Sequence, residues 1–387
     1  MDVAVVGGGP AGLLAATQCA EAGLDVLLFE EHSVIGEPTH CTGVISLETA
    51  ELAKVPDEII LSRLGRALLH APSGRSCEIV WEGGDDREQI LMIDRGAFDR
   101  GLAARAVDAG AVIATQVRVD RVTVHADGVD LVAGPYVLRA RACVLASGVT
   151  YRFQRELGLG LPGEVVHTAQ VEVDAEPSES VELHFGRGVA PDGFAWVTPV
   201  RRGGRARLKV GVMATGDAGA ALDRVLARPD VRRRLLSAPD KAIRRLLPLR
   251  PISRTYTSRV LVVGDAGGFT KPTTGGGIFY SLLTASLAAE TLVEAFQAGR
   301  LDAEFLGRYE ERWQARLGGE MRAAAWFRHL ATKLADDEID ALVSALATDD
   351  VQAIIRTTAR FNWHREVILT LVRQRRLASL LFRVLFR

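Results

Sequence analysis

The residues with the clearest chemical meaning are three glycines near the start of the chain. Gly7, Gly9 and Gly12 follow the short apolar run Val3–Val6 and open an Ala- and Leu-rich stretch, 10–22, that is predicted to be helical. Glycines at this spacing between a strand and a helix allow a tight turn, a close approach to pyrophosphate and close helix packing. The helix N-terminus favours phosphate through its free N–H groups. The pattern predicts a dinucleotide site.

A carboxylate follows at the end of the second predicted strand. Glu30 comes directly after the apolar run 25–29 and lies about 20 residues beyond the glycines, where an acid accepts hydrogen bonds from ribose hydroxyls. The same acid repels a 2′-phosphate. We therefore expect FAD or NAD rather than NADP; a ligand-free glycine turn is the alternative that this combination disfavours.

A second glycine signature, late in the chain, indicates which dinucleotide is bound. Gly264 and Asp265 follow the apolar run Val260–Val263, and Gly275–Gly277 precede a long predicted helix that begins at Ile278. A carboxylate at such a strand end can bond the ribityl chain of FAD. Bare glycine backbone admits a flat ring, and a helix N-terminus stabilises negative charge on a reduced flavin. Together the two signatures predict FAD.

One cation between the two glycine signatures could help to bind the cofactor. The stretch Asp94-Arg95-x-x-Phe98-Asp99 leads into a predicted helix, and Arg95 at its start can reach the FAD pyrophosphate. The alternative is an ordinary exposed arginine.

The elements around these residues are predicted to form an α/β fold (α+β overall). Alternating apolar patterns and helix signals give the following expectations: strands at 3–6, 25–29, 111–124, 129–138, 142–146, 165–173, 180–185, 194–199, 207–213 and 259–263, and helices at 10–22, 98–109, 218–247, 278–297 and over much of 302–387. The domains expected from them are a discontinuous Rossmann-like FAD-binding domain (1–64, 95–160 and 256–300), an antiparallel-sheet substrate lobe (65–94 and 161–255) and a C-terminal helical region (301–387).

Composition limits the function classes. The 387 residues are 48% hydrophobic with a formal net charge of −1, which suits a large core and argues against a general nucleic-acid binder. The four cysteines form no CxxC pair, so we expect free thiols and no metal. The first strand leaves no room for a signal region, and no run approaches the ~18 apolar residues of a membrane span. We expect a cytoplasmic protein that is soluble or peripheral.

The motifs resemble the geranylgeranyl reductase family of FAD-dependent enzymes, within the larger aromatic-hydroxylase-like flavoprotein superfamily. The resemblance covers roughly residues 1–330. Beyond the features above, it rests most specifically on Gly36-x-Pro38-x-x-Cys41-Thr42-Gly43 and on Pro272-x-Thr-Gly-Gly-Gly-Ile278. This resemblance implies reduction of isolated C=C bonds in polyprenyl chains on lipids, chlorophyll precursors or quinones.

The resemblance also implies which residues contact FAD. These belong to the glycine signatures and the elements between them: Gly7, Gly9, Ala11, Gly12, Glu30, Cys41, Thr42, Gly43, Arg95, Val119, Asp265, Gly277 and Ile278. Cys41 would lie near the isoalloxazine, either as a small residue packed against the ring or as a proton donor or redox partner. Lys271 is expected to face solvent, with a cation near the flavin as the alternative.

The substrate motif of the family, Tyr-x-Trp-x-Phe-Pro, is only partly matched. Trp196 and Pro199 fit it, whereas Phe194 lacks the hydroxyl and Thr198 replaces an aromatic ring. The resemblance therefore implies substrate contacts from Phe194, Trp196 and Pro199 and leaves the substrate's identity open. A purely structural role for Trp196 is the alternative.

The implied chemistry is hydride transfer from reduced flavin to an isolated alkene, with protonation of the other carbon. Such an alkene is a poor acceptor, so a dry apolar tunnel must orient it. Cys41, Tyr280 or a bound water could donate the proton, and NADPH or a ferredoxin could supply electrons.

The same motifs also allow other functions. An FAD monooxygenase acting on an aromatic or polyketide substrate is the main one, although Ser147 stands where hydroxylases carry an aspartate. An isoprenoid cyclase and a non-catalytic interaction partner are others.

The C-terminal segment 361–387 bears on membrane contact. It holds six arginines against one glutamate, with apolar pairs interleaved. This pattern suits helices on an anionic lipid surface, or helices packed against the body or a partner chain.

Overall fold

The computed structural model describes residues 1–39, 41–80 and 90–385, with side chains as far as residue 380. Part of the predicted strand region 65–94, namely 81–89, and the end of the C-terminal segment lie outside these residues. The strands are, in chain order, β1 (Val3–Val6), β2 (Val26–Phe29), β3 (Val44–Ser46), β4 (Ile60–Leu64), β5 (Arg66–His70), β6 (Ser76–Val80), β7 (Ile90–Ile93), β8 (Val112–Ala114), β9 (Arg121–Val124), β10 (Val129–Ala133), β11 (Tyr136–Ala140), β12 (Ala142–Leu145), β13 (Val165–Asp174), β14 (Val181–His184), β15 (Phe194–Arg202), β16 (Arg205–Ala214), β17 (Ile243–Pro248), β18 (Tyr256–Thr257) and β19 (Val260–Val262).

The helices fall between the strands and then fill the C-terminal part. They are α1 (Pro10–Glu21), α2 (Leu47–Ala53), α3 (Arg95–Asp108), α4 (Arg152–Glu156), α5 (Ala218–Ala227), α6 (Pro229–Arg232), α7 (Ile278–Ala298), α8 (Ala303–Trp313), α9 (Gly319–Ala331), α10 (Asp336–Leu346), α11 (Asp349–Thr358), α12 (Arg365–Leu371) and α13 (Arg375–Leu385). The described residues also form two 3₁₀ turns, Asp57–Ile59 and Gly264–Gly267, and a π turn, Gln314–Gly318.

A six-stranded sheet forms the base of the nucleotide-binding part, in the order β18-β19-β12-β1-β2-β8. The pairs from β19 to β8 are parallel, and β18 joins the edge antiparallel. Its central strands β1, β12 and β19 are short and wholly buried, as expected where both faces of a parallel sheet are covered. The carboxyl ends of β1, β2, β12 and β19 therefore open on one edge, where ligands bind in such folds.

Helices cover one face of this sheet. α1 packs against α3 and α7, and the core between them is rich in Ala and Leu. Pro10 begins α1, because its fixed φ and missing N–H suit the first helical position. Asp94 caps α3 by accepting a hydrogen bond from the backbone N–H of Ala97 at 3.0 Å. A β-meander, β9–β11, contributes to the core on the opposite face.

A seven-stranded sheet forms the second part, in the order β17-β13-β16-β15-β14-β5-β6. It is antiparallel except for one parallel pair, β14 with β5, which departs from the predicted all-antiparallel lobe. α5 packs on one of its faces. Strand β7, within the predicted segment 65–94, pairs instead with β3 and β4 in a small separate sheet. The domain boundaries stay a proposal.

Most sequence expectations for individual elements hold, with two errors. The predicted strand over 111–124 is two strands, β8 and β9. The predicted helix over 218–247 is wrong after Arg232, and Ile243–Pro248 forms the edge strand β17 against β13. Tertiary pairing there overrides a weak local pattern.

One helix of the described residues is long and apolar enough to cross a membrane by length and composition. This is α7, with a mean hydropathy of 1.3 over its window, of which 61% is buried inside the protein. Its buried side chains belong to the main core, which is the environment of an interior helix.

Candidate active site

The turn between β1 and α1 has no room for side chains at two of its glycines. Gly7 has φ +112°, and a Cβ there would lie 2.3 Å from the carbonyl oxygen of Ala146. A Cβ on Gly12 would lie 2.0 Å from the carbonyl oxygen of Gly7. At Gly9 the corresponding position has no atom within 4 Å, so the backbone faces open space at the helix N-terminus. This cradle fits the pyrophosphate of a dinucleotide.

Glu30 is held against that turn. One carboxylate oxygen accepts the backbone N–H of Gly8 at 2.7 Å, and the other accepts the N–H of His32 at 2.9 Å and contacts the His32 imidazole. The side chain is 13% exposed. The acid therefore lies at the carboxyl end of β2, in the place that suits ribose recognition.

The second glycine signature touches the first. Gly264 adopts φ +61°, and a Cβ on it would lie 3.0 Å from Cβ of Ala11 on α1. Asp265 Oδ1 lies 3.1 Å from the Cβ position of Gly277, at the N-terminus of α7. The Tyr151 hydroxyl donates to the carbonyl of Asp265 at 3.0 Å and fixes this turn. The two motifs form one site.

Asp265 is an electrostatically unusual acid. Burial raises the pKa of this carboxyl to about 6, and the Arg95 guanidinium offsets only part of that effect. A shifted carboxyl beside a helix N-terminus and open glycine backbone marks a site prepared for a polar ligand.

Arg95 is buried and paired, so its reading as an ordinary exposed arginine is wrong. Its guanidinium donates to both oxygens of Asp99, at 3.0 and 2.9 Å, and its side chain is 13% exposed. Burial favours the neutral guanidine, but Asp99 and Cys41 outweigh that and raise the pKa of Arg95 above its ordinary value. This cation lies beside the Cys41–Gly43 loop, since its Cγ is 3.6 Å from the Cβ position of Gly43.

The Cys41–Gly43 loop is tied to the seven-stranded sheet. Lys209 on β16 donates from Nζ to the carbonyl oxygens of Thr42 at 2.6 Å and Cys41 at 3.4 Å. The Gln170 side-chain oxygen on β13 accepts hydrogen bonds from the Thr42 hydroxyl at 2.7 Å and from the Trp196 indole at 3.2 Å. The Cys41–Gly43 loop and Trp196 of the seven-stranded sheet therefore share one hydrogen-bond acceptor, Gln170.

Sequence reasoning missed Lys209 and Gln170. Lys209 is 2% exposed, and burial lowers its pKa although Glu172 opposes this at 3.9 Å. The available signal was a lysine followed by the apolar run Val210–Ala214 in β16, since buried lysines are rare unless paired.

An apolar cluster lines the same sheet face. Phe194 and Trp196 are partly exposed and pack with Val166, Met213, Leu247 and Leu249. The Trp196 ring lies over Gly211, where a Cβ would be 2.2 Å from the ring. A Cβ on Gly275, in the second glycine signature, would lie 2.3 Å from Cδ2 of Leu247. The cluster thus meets the glycine loop before α7.

Two predicted contact residues lie away from this convergence. Pro199 is buried on the sheet face opposite to Phe194 and Trp196, because residues alternate along β15. Thr198 instead shares the face of Trp196 and pairs in register with Lys209. Val119 is buried in the core on the far side of the six-stranded sheet, with 7% exposure.

Lys271 is buried, which corrects the solvent-facing expectation. It is 2% exposed, its Nζ donates to the carbonyl oxygen of Phe361 at 2.7 Å, and it lies 3.9 Å from the centre of the Phe361 ring. Burial lowers the pKa of Lys271 to about 7, with Glu48 acting in the opposite direction. Gly276 allows the Lys271 side chain to pack against its backbone, because a Cβ at Gly276 would be 2.7 Å from Lys271 Cε.

Residues 361–365 are therefore part of the body. Asn362 is 2% exposed and donates to Ser46 Oγ at 2.7 Å and Glu48 Oε2 at 2.9 Å. His364 Nδ1 lies 2.6 Å from the Thr273 hydroxyl, and its backbone N–H donates to Glu320. This segment, which we call the latch, covers the back of the loop that precedes α7.

The latch also contacts Tyr280, one of the candidate proton donors. The Tyr280 hydroxyl donates to the carbonyl oxygen of Asn362 at 3.2 Å and is buried, and burial raises the pKa of this tyrosine above its ordinary value. The hydroxyl proton of Tyr280 is therefore used in a hydrogen bond to the latch. Cys41, whose Sγ accepts the Gly43 N–H at 3.3 Å, is only partly buried.

A polar cleft of about 410 Å³ opens beside this loop. Gln170 and Thr39 line it, together with four cationic and four acidic side chains: Arg100, Arg202, Arg207, Lys241, Glu37, Asp94, Glu172 and Asp240. Arg202 contacts Asp94, and its Nε donates to Glu172 at 2.8 Å. The balance of charge suits a polar group and not an apolar chain.

Comparison with known proteins identifies the family to which this chain belongs. A family model described as FAD dependent oxidoreductase matches residues 2–149. Digeranylgeranylglycerophospholipid reductase 2 of Methanothermobacter thermautotrophicus is 34% identical over 371 residues, covering 91% of this chain and 93% of that protein. The chain belongs to the geranylgeranyl reductase family of FAD-dependent oxidoreductases.

Two further comparisons agree with this membership. Digeranylgeranylglycerophospholipid reductase 2 of Methanopyrus kandleri is 32% identical, covering 92% of each chain. A geranylgeranyl bacteriochlorophyll reductase-like protein from Thermoplasma acidophilum has the same fold, with a TM-score of 0.86 at 22% identity, covering 100% of this chain and 98% of that chain. The cofactor is FAD, as the glycine cradle and the carboxylates at the ends of β2 and β19 predict.

Proposed function

We propose that this oxidoreductase reduces isolated C=C bonds in the polyprenyl chains of a glycerophospholipid. The observation that carries the proposal is the apolar cluster around Phe194 and Trp196, which meets the glycine loop before α7 through Leu247 and Gly275. Its relatives are digeranylgeranylglycerophospholipid reductases, and their names indicate the same substrate class.

In this proposal the chain holds FAD at two ends. The nucleotide end is bound by Gly7, Gly9, Ala11, Gly12 and Glu30, with Val119 the most distant candidate. The flavin end is bound by Cys41, Thr42, Gly43, Arg95, Asp265, Gly277 and Ile278. Reduced FAD supplies a hydride; the protein residues orient the alkene, exclude water and deliver a proton.

The prenyl chain would lie along the apolar cluster, and the polar cleft would receive the head group. Trp196 and Phe194 offer ring surfaces to the chain, whereas Pro199 supports the strand from its other face. Arg100 and Lys241 are cations at the cleft that could contact a phosphate. Cys41 is then either packing against the flavin ring or the proton donor, with a bound water as the other donor.

The monooxygenase alternative has less support. Ser147, at the position where hydroxylases carry an aspartate, bonds only locally, with its hydroxyl 3.4 Å from the Thr150 carbonyl oxygen. The apolar cluster also suits an aliphatic chain better than a polar aromatic acid.

Anaerobic turnover of defined lipids tests the proposal. The purified holoenzyme would be incubated with digeranylgeranyl glycerophospholipids, prenyl quinones and free prenyl alcohols, with either NADPH or reduced ferredoxin as the donor. Mass spectrometry should find two hydrogens added per bond reduced, with phospholipid preferred. Unchanged masses for every lipid and both donors would contradict it.

A lipid substrate implies work at a membrane surface, and we propose a peripheral location on the cytoplasmic face. Leu377 and Leu380 on α13 are buried, as is Ile368 on α12, so these positions pack against the body. Contact with lipid would fall to other residues of the C-terminal segment, such as Leu369, which is 38% exposed. Vesicle co-sedimentation of the full chain with anionic and neutral lipids tests this location.

A further inference from the structure

A cluster of three metal-ligating side chains lies outside the flavin site, on the edge half of the seven-stranded sheet. His70 is on β5, and Glu182 and His184 are on the neighbouring strand β14. His70 and His184 are register partners, and Glu182 is two residues before His184, so all three share one sheet face.

The potential ligand atoms converge. Oε2 of Glu182 lies 3.5 Å from Nε2 of His184 and 3.9 Å from Nε2 of His70. Two ligand atoms that share a tetrahedral ion at ~2.1 Å lie about 3.4 Å apart. The Glu182–His184 pair already has this spacing, and the Glu182–His70 pair exceeds it by about 0.5 Å. The ligand atoms of all three residues lie within 4.8 Å of one another.

The imidazole nitrogens lack other partners. Among the described residues, Nδ1 and Nε2 of His184 and Nε2 of His70 are buried atoms without a hydrogen-bond partner. The His184 side chain is 1% exposed. Buried polar atoms are almost always satisfied, so several orphans in one cluster indicate a missing ion or water. The two rings also stack, with centres 4.5 Å apart and 11° between planes.

The surroundings orient the carboxylate towards the imidazoles. Glu182 is oriented by Arg234, whose Nη1 donates to Oε1 at 2.7 Å and leaves Oε2 directed to the imidazoles. A partner that fixes a carboxylate in this way is typical of metal sites. His70 is 24% exposed and provides the route of entry.

We propose that His70, Glu182 and His184 bind a divalent transition-metal ion, with Zn²⁺ the best fit. Two imidazoles and one carboxylate are a known zinc ligand set with room for a water molecule. The ion would join β5 to β14, two segments far apart in the sequence that form the only parallel pair of this sheet among the described residues. Its role is structural and independent of the proposed reductase activity. The sequence expectation of no metal rested on cysteine spacing alone.

Metal titration of the full holoenzyme tests the proposal. After treatment with a chelator, the wild type should bind one equivalent of Zn²⁺ by calorimetry, and its melting temperature should rise with Zn²⁺ concentration. Co²⁺ should give ligand-field bands at wavelengths beyond the flavin absorption. His70→Gln and Glu182→Gln should weaken binding at least about tenfold.

The matched control is His125→Gln. His125 is a surface histidine whose Nε2 lies 2.9 Å from Asp130, so it has the same chemistry outside the cluster. His70→Gln is the main variant because its partly exposed site tolerates substitution, and FAD content verifies its folding. The proposal is overturned if the wild type binds no stoichiometric Zn²⁺, or if folded His70→Gln binds it as the wild type does.

Discussion

Glu30 and Asp265 end two strands of one parallel sheet, but their surroundings differ. Glu30 accepts backbone N–H groups from Gly8 and His32, so its charge is already stabilised. Asp265 is partly buried beside the N-terminus of α7, and desolvation raises its pKa to about 6. We expect the first acid to receive ribose hydroxyls and the second to gain its missing hydrogen bonds from the ligand.

Replacing Glu30 tests the nucleotide end. Glu30→Gln keeps the shape but removes the charge, so FAD affinity should fall about tenfold to a hundredfold, the effect of one charge-assisted hydrogen bond. Glu31→Gln is the control, since that neighbour is 53% exposed and contacts only Arg118 at 3.9 Å among the ion pairs of the described residues. Fluorescence titration of the apoprotein with FAD measures both. Equal FAD affinities for Glu30→Gln and Glu31→Gln would show that Glu30 does not bind FAD.

Asp265 should give a pH-dependent stability of the FAD-free protein. Its folded pKa is raised from 3.8 to about 6, so the folded state favours the protonated form. The contribution of this raised pKa to the free energy of unfolding is fully present below pH 3.8 and is lost as the pH rises through 6. Asp265→Asn should therefore gain ~2–3 kcal/mol relative to wild type at pH 8 and little at pH 4.

Urea unfolding from pH 4 to pH 8 measures this difference, with the exposed Asp223→Asn as the control. The same Asp265→Asn variant should bind FAD more weakly, because active-site groups often trade stability for function. Parallel stability profiles for wild type and Asp265→Asn would show that the carboxyl titrates normally.

At the scale of elements, the loop before α7 is held between two partners. The apolar cluster of the seven-stranded sheet meets it at Gly275, and the latch, residues 361–365, covers its other side through Lys271 and His364. The C-terminal region is therefore connected to the loop before α7 through packed and hydrogen-bonded groups.

Asn362 is the best place to test the latch. Asn362→Ala removes hydrogen bonds to Ser46 and Glu48 in a buried position, which should cost about 2–3 kcal/mol of unfolding free energy. FAD should also dissociate faster, because the side-chain bonds of Asn362 hold in place the backbone carbonyl oxygen to which the Tyr280 hydroxyl, at the start of α7, donates. Ser379→Ala on the exposed side of α13 is the control. Unchanged stability and unchanged FAD release would separate the latch from the site.

Regular elements were largely predictable where the pattern was strong. The βαβ opening, α7 and strands β13 to β16 follow from apolar periodicity and glycine ends. The strand β17 was not, because its exposed, arginine-rich stretch gains its conformation only by pairing with β13. The latch was also hidden, since its polar residues, Asn362 and His364, are satisfied by partners far away in the sequence.

At the scale of the whole molecule, the Cys41–Gly43 loop joins the two sheets. Arg95 reaches it from α3, and Lys209 and Gln170 reach it from the seven-stranded sheet. The residues that we propose to bind the flavin could be named from the sequence because their motifs are local. The joining residues could not, because a lone lysine or glutamine in a strand carries no local signature of its partner.

Lys209 tests this connection. Lys209→Met leaves the carbonyl oxygens of Cys41 and Thr42 without their cationic donor, so the loop should lose its position and FAD affinity should fall about tenfold. Lys333→Met, on an exposed position, is the control. Flavin fluorescence titration and the flavin circular dichroism band report the change. Wild-type values for both would mean that the loop is positioned without the second sheet.

The central claim is that this family member reduces a prenyl alkene at the flavin. Anaerobic stopped-flow mixing of the reduced holoenzyme with digeranylgeranyl glycerophospholipid tests it most directly. We expect flavin reoxidation that matches the bonds saturated, and none with the fully saturated lipid. A flavin that stays reduced with every prenyl lipid, yet is reoxidised by oxygen with hydroxylation of an aromatic compound, would contradict the account.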